Sequence, residues 1–312
     1  MFLLLCLSRK CNLNCIGCHA HKSDELVHEN NLKFFKRALI HTLQQYRPRE
    51  ICFHGAETFV CSETVLKEVL EIINKYKIKE AKLSCMSNGT LVTEKKYNLM
   101  KQFGVCVNIS YRGPEDLYKK ITRTDTYADW LEGIYLVKPK STIFYYPTEL
   151  EDEILNRYKE IVDDIVDKGF KSVRFSEYCS STPNKRHSEF VIKCQKYIIK
   201  MGYDLQIPEI VDLLKRIQGL QPKMSCSWEH NCMQFFCLQP NGKMTFCNRN
   251  MKSYRAFYKE CYSCEAYPFC KGGCEAVREK NGGIFPYCDD RRKIVRYVRE
   301  NYFDLASYYD IM

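Results

Sequence analysis

Three cysteines lie close together near the start of the chain, in the stretch KCNLNCIGCH. Cys11, Cys15 and Cys18 are separated by three and then by two residues, a spacing at which thiolates on one loop can bind a metal ion or an iron–sulfur cluster. A structural zinc site needs four protein ligands, so its fourth would be His19, His21 or a distant group. A four-iron cluster on three thiolates instead leaves one iron open, and that iron can bind a small molecule through an amine and a carboxylate.

The composition limits which kinds of bond or metal site these cysteines can form. Nineteen cysteines among 312 residues are compatible with disulfides, zinc sites or iron–sulfur clusters. The apolar run at residues 2–7 is too short for a signal-peptide core, and no uncharged apolar run approaches the ~20 residues of a membrane span. We therefore expect a cytoplasmic protein with no membrane contact and reduced thiols, and a disulfide would in any case leave one N-terminal cysteine over.

The formal net charge of +10 would suit a nucleic-acid partner, an anionic substrate or an ordinary basic surface. The lysines are scattered, with no dense basic tract and no recognisable reading motif, so we expect no nucleic-acid partner. Clusters held by thiolates would add negative charge and lower the effective net charge.

The elements that must position the cysteines alternate between short β-rich apolar runs and longer amphipathic segments, which predicts an α/β fold with a parallel sheet and crossover helices. The predicted strands lie near residues 2–7, 50–54, 82–86, 105–111, 142–146 and 172–177. The predicted helices lie near residues 31–46, 62–75, 94–102, 127–137, 150–168 and 189–201. Six such pairs predict a partial, open (β/α)6 barrel rather than a closed eight-fold one.

The pattern changes after residue 202. The barrel is predicted over residues 1–202, followed by a connector over 203–225 with one short helix near 210–218. Residues 226–290 are cysteine-rich and interrupted by glycines, which indicates a domain built around ligands more than around an apolar core. A final helix is predicted near residues 289–302, and residues 291–312 form the predicted C-terminal helical segment.

The cysteine loop follows the first predicted strand, and in this the chain resembles the radical S-adenosylmethionine (radical SAM) enzymes. Their hallmark is a C-x3-C-x2-C loop after the first strand of a partial (β/α)6 barrel. The resemblance implies that the open iron chelates S-adenosylmethionine (SAM), which is cleaved by one electron to a 5′-deoxyadenosyl radical that removes a substrate hydrogen. Gly17 departs from the family, in which the residue before the third cysteine is usually aromatic.

Three further motifs follow in the order of the family. The segment FHGAET resembles the Gly-Gly-Glu-Pro segment, with Gly55 and Glu57 matching and Ala56 and Thr58 departing from it. The resemblance implies that Gly55, Ala56 and Glu57 bind the amino group of the cofactor. The segment SNGTLVT resembles the family's third-strand terminus and implies a cofactor contact at Asn88, although such a stretch alone is typical of an ordinary Asn-Gly turn.

The segment ISYRGP resembles the fourth-strand segment of the family, in which Ser-x-Asp-Gly is common. It implies a ribose or carboxylate contact at Ser110, while Arg112 stands in place of the aspartate. Arg123 is the candidate for the downstream cofactor-binding arginine, with a surface arginine as the alternative.

A second cysteine pattern lies near the other end of the chain. Its inner spacing, C-x2-C-x5-C-x3-C, is joined by C-x9-G-x4-C upstream and one cysteine downstream, which matches the SPASM extension of radical SAM enzymes. The match implies two auxiliary four-iron clusters and, with the first, three [4Fe-4S] clusters in all. The implied ligand sets are Cys226, Cys232, Cys247 and Cys274 for one and Cys261, Cys264, Cys270 and Cys288 for the other. Two interleaved zinc sites are the alternative.

The remaining cysteines lie mostly in predicted strands and helices, where a thiol is typically a small buried hydrophobe. Cys179 differs because it follows the predicted sixth strand, at the end of a barrel that carries the chemistry. We treat Cys179 as a candidate catalytic hydrogen-atom donor, with a structural thiol as the alternative.

SPASM enzymes mostly act on ribosomal peptides, so the resemblance implies a peptide-modifying enzyme that forms a thioether or carbon–carbon cross-link, or another Cα or side-chain modification. Its expected partners are a ribosomal precursor peptide and a flavodoxin- or ferredoxin-type reductant. A peptide epimerase and a small-molecule dehydrogenase or epimerase are the alternatives, and an electron-transfer protein is a third. Asn248 replaces the aspartate base of sulfatase-maturing members and argues against that activity. Since ten residues precede Cys11, a leader would be recognised by the barrel, the C-terminal domain or a separate protein.

Overall fold

The computed structural model describes residues 1–18, 20, 23–176, 185–222, 235–246 and 259–311. These residues divide into two compact units. The first unit comprises Met1–Ser110, Tyr118–Pro139 and Cys232–Asn250, and the second comprises Tyr111–Leu117, Lys140–Asn231 and Met251–Met312. No helix in the described part of the chain is both long and apolar enough to cross a membrane.

The described residues form eight strands and fourteen α-helices. In chain order the strands are β1 (Phe2–Leu5), β2 (Glu50–Phe53), β3 (Lys82–Ser87), β4 (Val105–Ile109), β5 (Ser141–Phe144), β6 (Ser172–Phe175), β7 (Phe235–Leu238) and β8 (Met244–Phe246). The helices of the first 222 residues are α1 (Glu29–Tyr46), α2 (Glu63–Tyr76), α3 (Glu94–Gln102), α4 (Glu115–Thr122), α5 (Tyr127–Val137), α6 (Glu151–Asn156), α7 (Tyr158–Asp167), α8 (His187–Met201) and α9 (Pro208–Ile217). Those that follow are α10 (Lys259–Tyr262), α11 (Tyr267–Cys270), α12 (Glu275–Lys280), α13 (Cys288–Glu300) and α14 (Tyr302–Tyr308).

The first unit contains a six-stranded sheet in the order β4-β3-β2-β1-β7-β8. All neighbouring pairs are parallel except β7 and β8. Alternate residues of β1 and β2 are buried, so that Leu5 and Phe53 face the same apolar layer. Helices α1 and α2 contact each other and bury apolar faces that include Phe35 and Leu66. Because β1 to β4 run parallel, their carboxyl ends lie at one edge of the sheet.

Polar residues fix where the helices of this unit begin. The backbone N–H of Val65 donates to the hydroxyl of Ser62, which caps α2, and Thr93 caps α3 in the same way. His28 and Asn31 form a reciprocal capping arrangement at the start of α1. These side chains satisfy backbone donors that have no partner inside the helix.

The second unit contains a two-stranded parallel sheet of β5 and β6. Its core is aromatic: the rings of Phe144, Tyr146 and Phe190 lie with centroids 5.2–6.2 Å apart. Tyr111, which follows β4 in the chain, forms an isolated parallel bridge with Phe144. Helix α8 contacts both α7 and α13.

The predicted α/β fold with a parallel sheet is confirmed, and the helices predicted over residues 94–102 and 127–137 have those bounds in the structure. Three features differ from the sequence-based expectation. The helix predicted over residues 150–168 is divided at Arg157 into α6 and α7, a helix not foreseen forms at α4, and β7 pairs with β1. The domain bounds derived from the sequence stay a prediction.

Candidate functional site

The N-terminal cysteines lie on the loop that leaves the carboxyl end of β1. Cys11 and Cys15 are half-buried, and Cys18 is exposed. The backbone N–H of Leu13 donates to Sγ of Cys11 at 3.4 Å. Three accessible thiols on one loop fit the donor set of an iron–sulfur cluster, whose ligands are thiolates.

The backbone of this loop is held by the end of α4. The N–H groups of Asn14 and Ile16 donate to the carbonyl oxygens of Thr122 and Ile121 at 3.1 and 2.8 Å. The next residue of that segment, Arg123, is exposed and has a left-handed backbone with φ of 55°. Two backbone hydrogen bonds therefore bring the chain at Arg123 beside the cysteine loop.

Gly17 has a structural reason in this loop. Its φ of 58° lies in the left-handed region, which glycine adopts without the steric cost that a side chain would add. Glycine in place of the family's usual aromatic residue therefore occurs where the backbone turns just before Cys18.

The FHGAET segment contacts the chain just after β1. The N–H of Ala56 donates to the carbonyl oxygen of Ser8 at 2.9 Å. A Cβ atom on Gly55 would lie 2.6 Å from that oxygen and 2.8 Å from Sγ of Cys6, and the φ of Gly55 is 155°. Only glycine allows this approach, because those distances are shorter than real Cβ contacts.

Glu57 is 2% exposed and connects the ends of β2 and β3. Its Oε1 accepts from the hydroxyl of Ser87 at 2.9 Å and from the N–H of Phe59 at 3.0 Å, and its Oε2 accepts from the N–H of Asn88 at 2.7 Å. Burial raises the pKa of the Glu57 carboxyl, while these three hydrogen bonds and the charge of Lys96 oppose the rise. The carboxylate thus has three donors within the protein itself.

The SNGTLVT segment brings Asn88 to the cysteine loop. Its Nδ2 lies 3.5 Å from Sγ of Cys11 and 2.9 Å from Oδ1 of Asn12. Gly133 of α5 packs directly on this turn, since a Cβ atom there would lie 2.3 Å from the carbonyl oxygen of Gly89. The structure therefore brings two of the predicted segments, the cysteine loop and the third-strand terminus, into direct contact.

Ser110 follows β4 at the same edge of the sheet. It is 7% exposed, its N–H donates to the carbonyl oxygen of Ser87 at 2.9 Å, and its own carbonyl accepts from the indole of Trp130 at 3.1 Å. Gly55, Ala56, Glu57, Asn88 and Ser110 thus all lie at the ends of β2, β3 and β4, beside the loop that follows β1.

In the second unit, three thiols of one predicted auxiliary ligand set act on the fourth member, Cys288. Burial, followed by the neighbouring thiols of Cys270, Cys261 and Cys264, raises the pKa of Cys288 to about 11, while Arg292 lowers it. These electrostatic effects indicate that the three thiols lie in the neighbourhood of Cys288, and the ligand set itself stays a prediction. Cys274 is 6% exposed and packs in an apolar cluster with Ala276, Val277, Phe285 and Tyr287, against which Cys288 also packs.

Part of the predicted site lies outside the described residues: Cys179, Cys226, Cys232, Cys247 and Asn248. Within the described ranges, no group of three or more His, Cys, Asp or Glu side chains is arranged to hold a single metal ion. A four-iron cluster does not require such convergence, because each thiolate binds a different iron.

A model of the radical SAM superfamily matches residues 5–161, which is half of the chain and includes the N-terminal cysteine loop and the segments beside it. The chain belongs to the radical SAM superfamily.

Curated relatives of this radical SAM chain include an anaerobic enzyme that shares its full length. The cysteine-type anaerobic sulfatase-maturating enzyme of Clostridium perfringens strain 13 is 21% identical over an alignment of 359 positions, gaps included, which covers 96% of each chain. An uncharacterized protein of Methanocaldococcus jannaschii is 28% identical over 177 residues, which are 55% of this chain and 61% of that relative.

Solved structures show the same fold. Native anSMEcpe with bound AdoMet and Cp18Cys peptide has a TM-score of 0.78 at 18% identity and covers 98% of this chain and 99% of that one. Streptococcus suis SuiB bound to precursor peptide SuiA has a TM-score of 0.61 at 15% identity, with 91% of this chain and 74% of that one covered. At these identities the likeness concerns the fold.

Sequence reasoning missed two residues that position this radical SAM site. The role of Gly133 could not be recognised within a regular helical pattern, because it depends on how closely α5 approaches Gly89. Lys96, whose Nζ donates to the carbonyl oxygen of Phe59 at 2.5 Å, was equally hidden, since its partner is a backbone atom of another segment. For Glu57 the sequence predicted a cofactor contact and did not predict the hydrogen bond with Ser87.

Proposed function

We propose that this radical SAM chain is a peptide-modifying enzyme, a maturase that removes a hydrogen from a residue of a ribosomal precursor peptide to form a thioether or carbon–carbon cross-link or another Cα or side-chain modification. The observation that carries the proposal is the N-terminal site: Cys11, Cys15 and Cys18 on one loop, held beside the ends of β2 and β3. A partial (β/α)6 barrel with a C-terminal SPASM domain, in the cytoplasm, is part of the proposal.

The residues at the sheet edge have roles toward the cofactor in this proposal. Cys11, Cys15 and Cys18 would hold a [4Fe-4S] cluster that supplies the electron for cleaving SAM to a 5′-deoxyadenosyl radical. Gly55, Ala56 and Glu57 would bind the amino group of SAM, on a segment whose close backbone approach requires the glycine. Arg123 would pair with the carboxylate of SAM, since a guanidinium binds carboxylates through two parallel hydrogen bonds.

Two auxiliary [4Fe-4S] clusters complete the proposed cofactor set. The grouping of Cys261, Cys264, Cys270 and Cys288 supports one of them. The other would use Cys226, Cys232, Cys247 and Cys274, of which the structure describes Cys274 alone. With all eight thiolates used, these clusters would carry electrons and would leave substrate binding to other residues, with a flavodoxin- or ferredoxin-type protein as the reductant.

The peptide substrate is supported by likeness alone. Solved structures with this fold include anSMEcpe with a bound Cp18Cys peptide and SuiB with its precursor peptide. Sulfatase maturation is the second candidate, because the enzyme of that name from Clostridium perfringens matches 96% of this chain. Asn248 weighs against it, since an amide cannot accept the proton that oxidation to an aldehyde releases. Small-molecule dehydrogenation and peptide epimerisation, the latter with Cys179 as hydrogen donor, are further alternatives.

The cofactor proposal is tested by anaerobic reconstitution. Three four-iron clusters predict about twelve irons per chain, together with formation of 5′-deoxyadenosine from SAM after reduction. Replacing Cys11, Cys15 or Cys18 by Ala should abolish the cleavage. Cys106→Ala is the matched control, because Cys106 is an exposed thiol outside the proposed ligand sets. Bound zinc with no 5′-deoxyadenosine from the wild-type chain would refute the proposal.

The substrate proposal is tested by co-expression with a short precursor peptide encoded beside this chain's gene. We expect a mass change in the peptide by mass spectrometry, and a peptide with neither a mass change nor deuterium uptake from heavy water would count against it. Formylglycine in a sulfatase-derived peptide would instead establish the second candidate. In an Asn248→Asp variant, gain of that activity would show that the missing base is what excludes it.

A further inference from the structure

The side-chain amide of Asn88 lies beside Cys11, where both its nitrogen and its oxygen form hydrogen bonds. Its Nδ2 is 3.5 Å from Sγ of Cys11 and 2.9 Å from Oδ1 of Asn12. Its Oδ1 accepts from both the N–H and the hydroxyl of Thr90, at 2.9 and 2.8 Å. The amide of Asn12 in turn donates to the Thr90 hydroxyl at 2.7 Å. Both ends of the Asn88 amide are therefore engaged.

These contacts determine which end of the Asn88 amide faces the sulfur. The backbone N–H of Thr90 can only donate, so the atom that faces it must be the oxygen of Asn88. The amide nitrogen is then directed at Cys11, so the hydrogen-bond network alone determines the orientation of the amide. Of the two N–H bonds on Nδ2, one points to Asn12 and the other to Sγ of Cys11.

The buried carboxylate of Glu57 holds the backbone turn that carries the Asn88 amide. The N–H of Asn88 donates to Oε2 of Glu57 at 2.7 Å, and the Ser87 hydroxyl donates to Oε1 at 2.9 Å. That hydroxyl also accepts from the N–H of Gly89 at 2.9 Å. The turn carrying Asn88 is thus tied on both sides, so its side chain is preorganised toward the thiol.

We propose that Asn88 is a positioning residue that donates an N–H···S hydrogen bond to the Cys11 thiolate and raises the reduction potential of the cluster bound there. This rests on the function proposed above, and it gives Asn88 a role toward a ligand thiolate in place of the SAM contact expected from the sequence. Hydrogen bonds to cluster sulfurs favour the reduced state, which carries more negative charge. The N–H of Leu13 also donates to the same sulfur, so Asn88 accounts for part of the effect of hydrogen bonding on the potential.

The test compares reduction potentials rather than turnover. Asn88→Asp keeps the shape of the side chain and an oxygen for Thr90 but removes the donor, and Asn88→Ala removes the whole amide. Asn108→Ala is the matched control, because its Nδ2 lies 4.0 Å from Sγ of Cys106, a thiol outside the proposed ligand sets. The midpoint potential is measured anaerobically by electron paramagnetic resonance, using the signal that changes when SAM is added, since that signal reports the cluster with the open iron.

We expect both Asn88 variants to disfavour reduction about tenfold, which for a one-electron couple is a potential about 59 mV more negative, and Asn108→Ala to leave it unchanged. Asn88 variants with the wild-type potential would overturn the inference, even if they were less stable, because a purely structural role predicts no shift. An equal shift in Asn108→Ala would overturn it as well. Failure of the wild-type chain to bind a cluster would instead refute the proposed function on which the inference rests.

Discussion

Glu57 offers a sharp test of what the FHGAET segment does. The sequence resemblance gives its carboxylate to the amino group of SAM, whereas the structure gives it three donors inside the protein, from Ser87, Phe59 and Asn88. Glu57→Gln separates the two roles. An internal anchor predicts a loss of folding stability, and a cofactor contact alone predicts a loss of SAM affinity in a chain of normal stability.

The size of the stability loss follows from the hydrogen bonds. A glutamine keeps one oxygen and replaces the other by an NH2 group, which would face either the N–H of Asn88 or that of Phe59. One buried backbone N–H therefore loses its acceptor, at a cost of about 1–3 kcal/mol. Removing the charge relieves part of the desolvation that raises the pKa of Glu57, so we expect a net loss of about 2 kcal/mol.

The assay is equilibrium urea unfolding of the reconstituted chain under anaerobic conditions at neutral pH. Glu29→Gln serves as the control, because Glu29 is also a carboxylate that accepts from a serine hydroxyl, that of Ser62, but in an exposed position. Because Glu29 is exposed, we expect the unfolding midpoint of this control to fall much less than that of Glu57→Gln. A Glu57→Gln chain that unfolds at the wild-type urea concentration, with weakened SAM binding, would show that the anchor reasoning is wrong.

Three further substitutions test the scaffold. Burial and Arg291 lower the pKa of His187 to about 3, so its contribution to stability is complete above pH 6.5 and is lost as the pH falls. His187→Phe should then remove about 2 kcal/mol of the stability difference between pH 7 and pH 5 in urea unfolding, and an unchanged difference would contradict this. Gly133→Ala should lower the free energy of unfolding by about 1–2 kcal/mol despite alanine's helix propensity, because its Cβ would meet the carbonyl oxygen of Gly89; a stabilised variant would argue against that contact. Ser62→Ala should cost about 1 kcal/mol through the lost cap of α2, with no change in urea midpoint as the opposing result.

Strands β1 to β4 were predictable because each is a short apolar, β-rich run between turn signals and helical patterns. Two of the departures from prediction depend on tertiary contacts. In the second unit, Arg157 lies between α6 and α7, and its guanidinium binds Asp116 and Glu160. Nothing in the apolar spacing of residues 150–168 reveals such a break. The strand Phe235–Leu238 is short and lies among cysteines, so its pairing with β1 depends on tertiary contacts.

The residue types of the candidate site could be predicted from the sequence, but the atoms that those residues contact could not. Glycine at position 55 indicates close backbone approach in any context, and the structure supplies the atoms that approach it. The partners of Glu57 depend on which strand ends are neighbours, and that requires the pairing of β2 with β3. Gly17, which departs from the family pattern, is explained by a backbone angle that no sequence motif records.

Burial distinguishes three cysteines of the first unit from those of the N-terminal loop. Cys6, Cys61 and Cys85 are fully buried, and burial raises the pKa of the first two thiols to about 11 and about 12 and also raises the pKa of the third. A thiol must lose its proton to bind iron, so these three are poor ligands. The N-terminal cysteines lie on a loop with their thiols at least partly accessible. Cys270 and Cys288 of the proposed auxiliary ligand set differ from the N-terminal cysteines, because burial and, after it, neighbouring thiols raise the pKa of both, that of Cys288 to about 11. Binding the proposed cluster would remove those protons, so under the proposed function the folding of this region would depend on its metal.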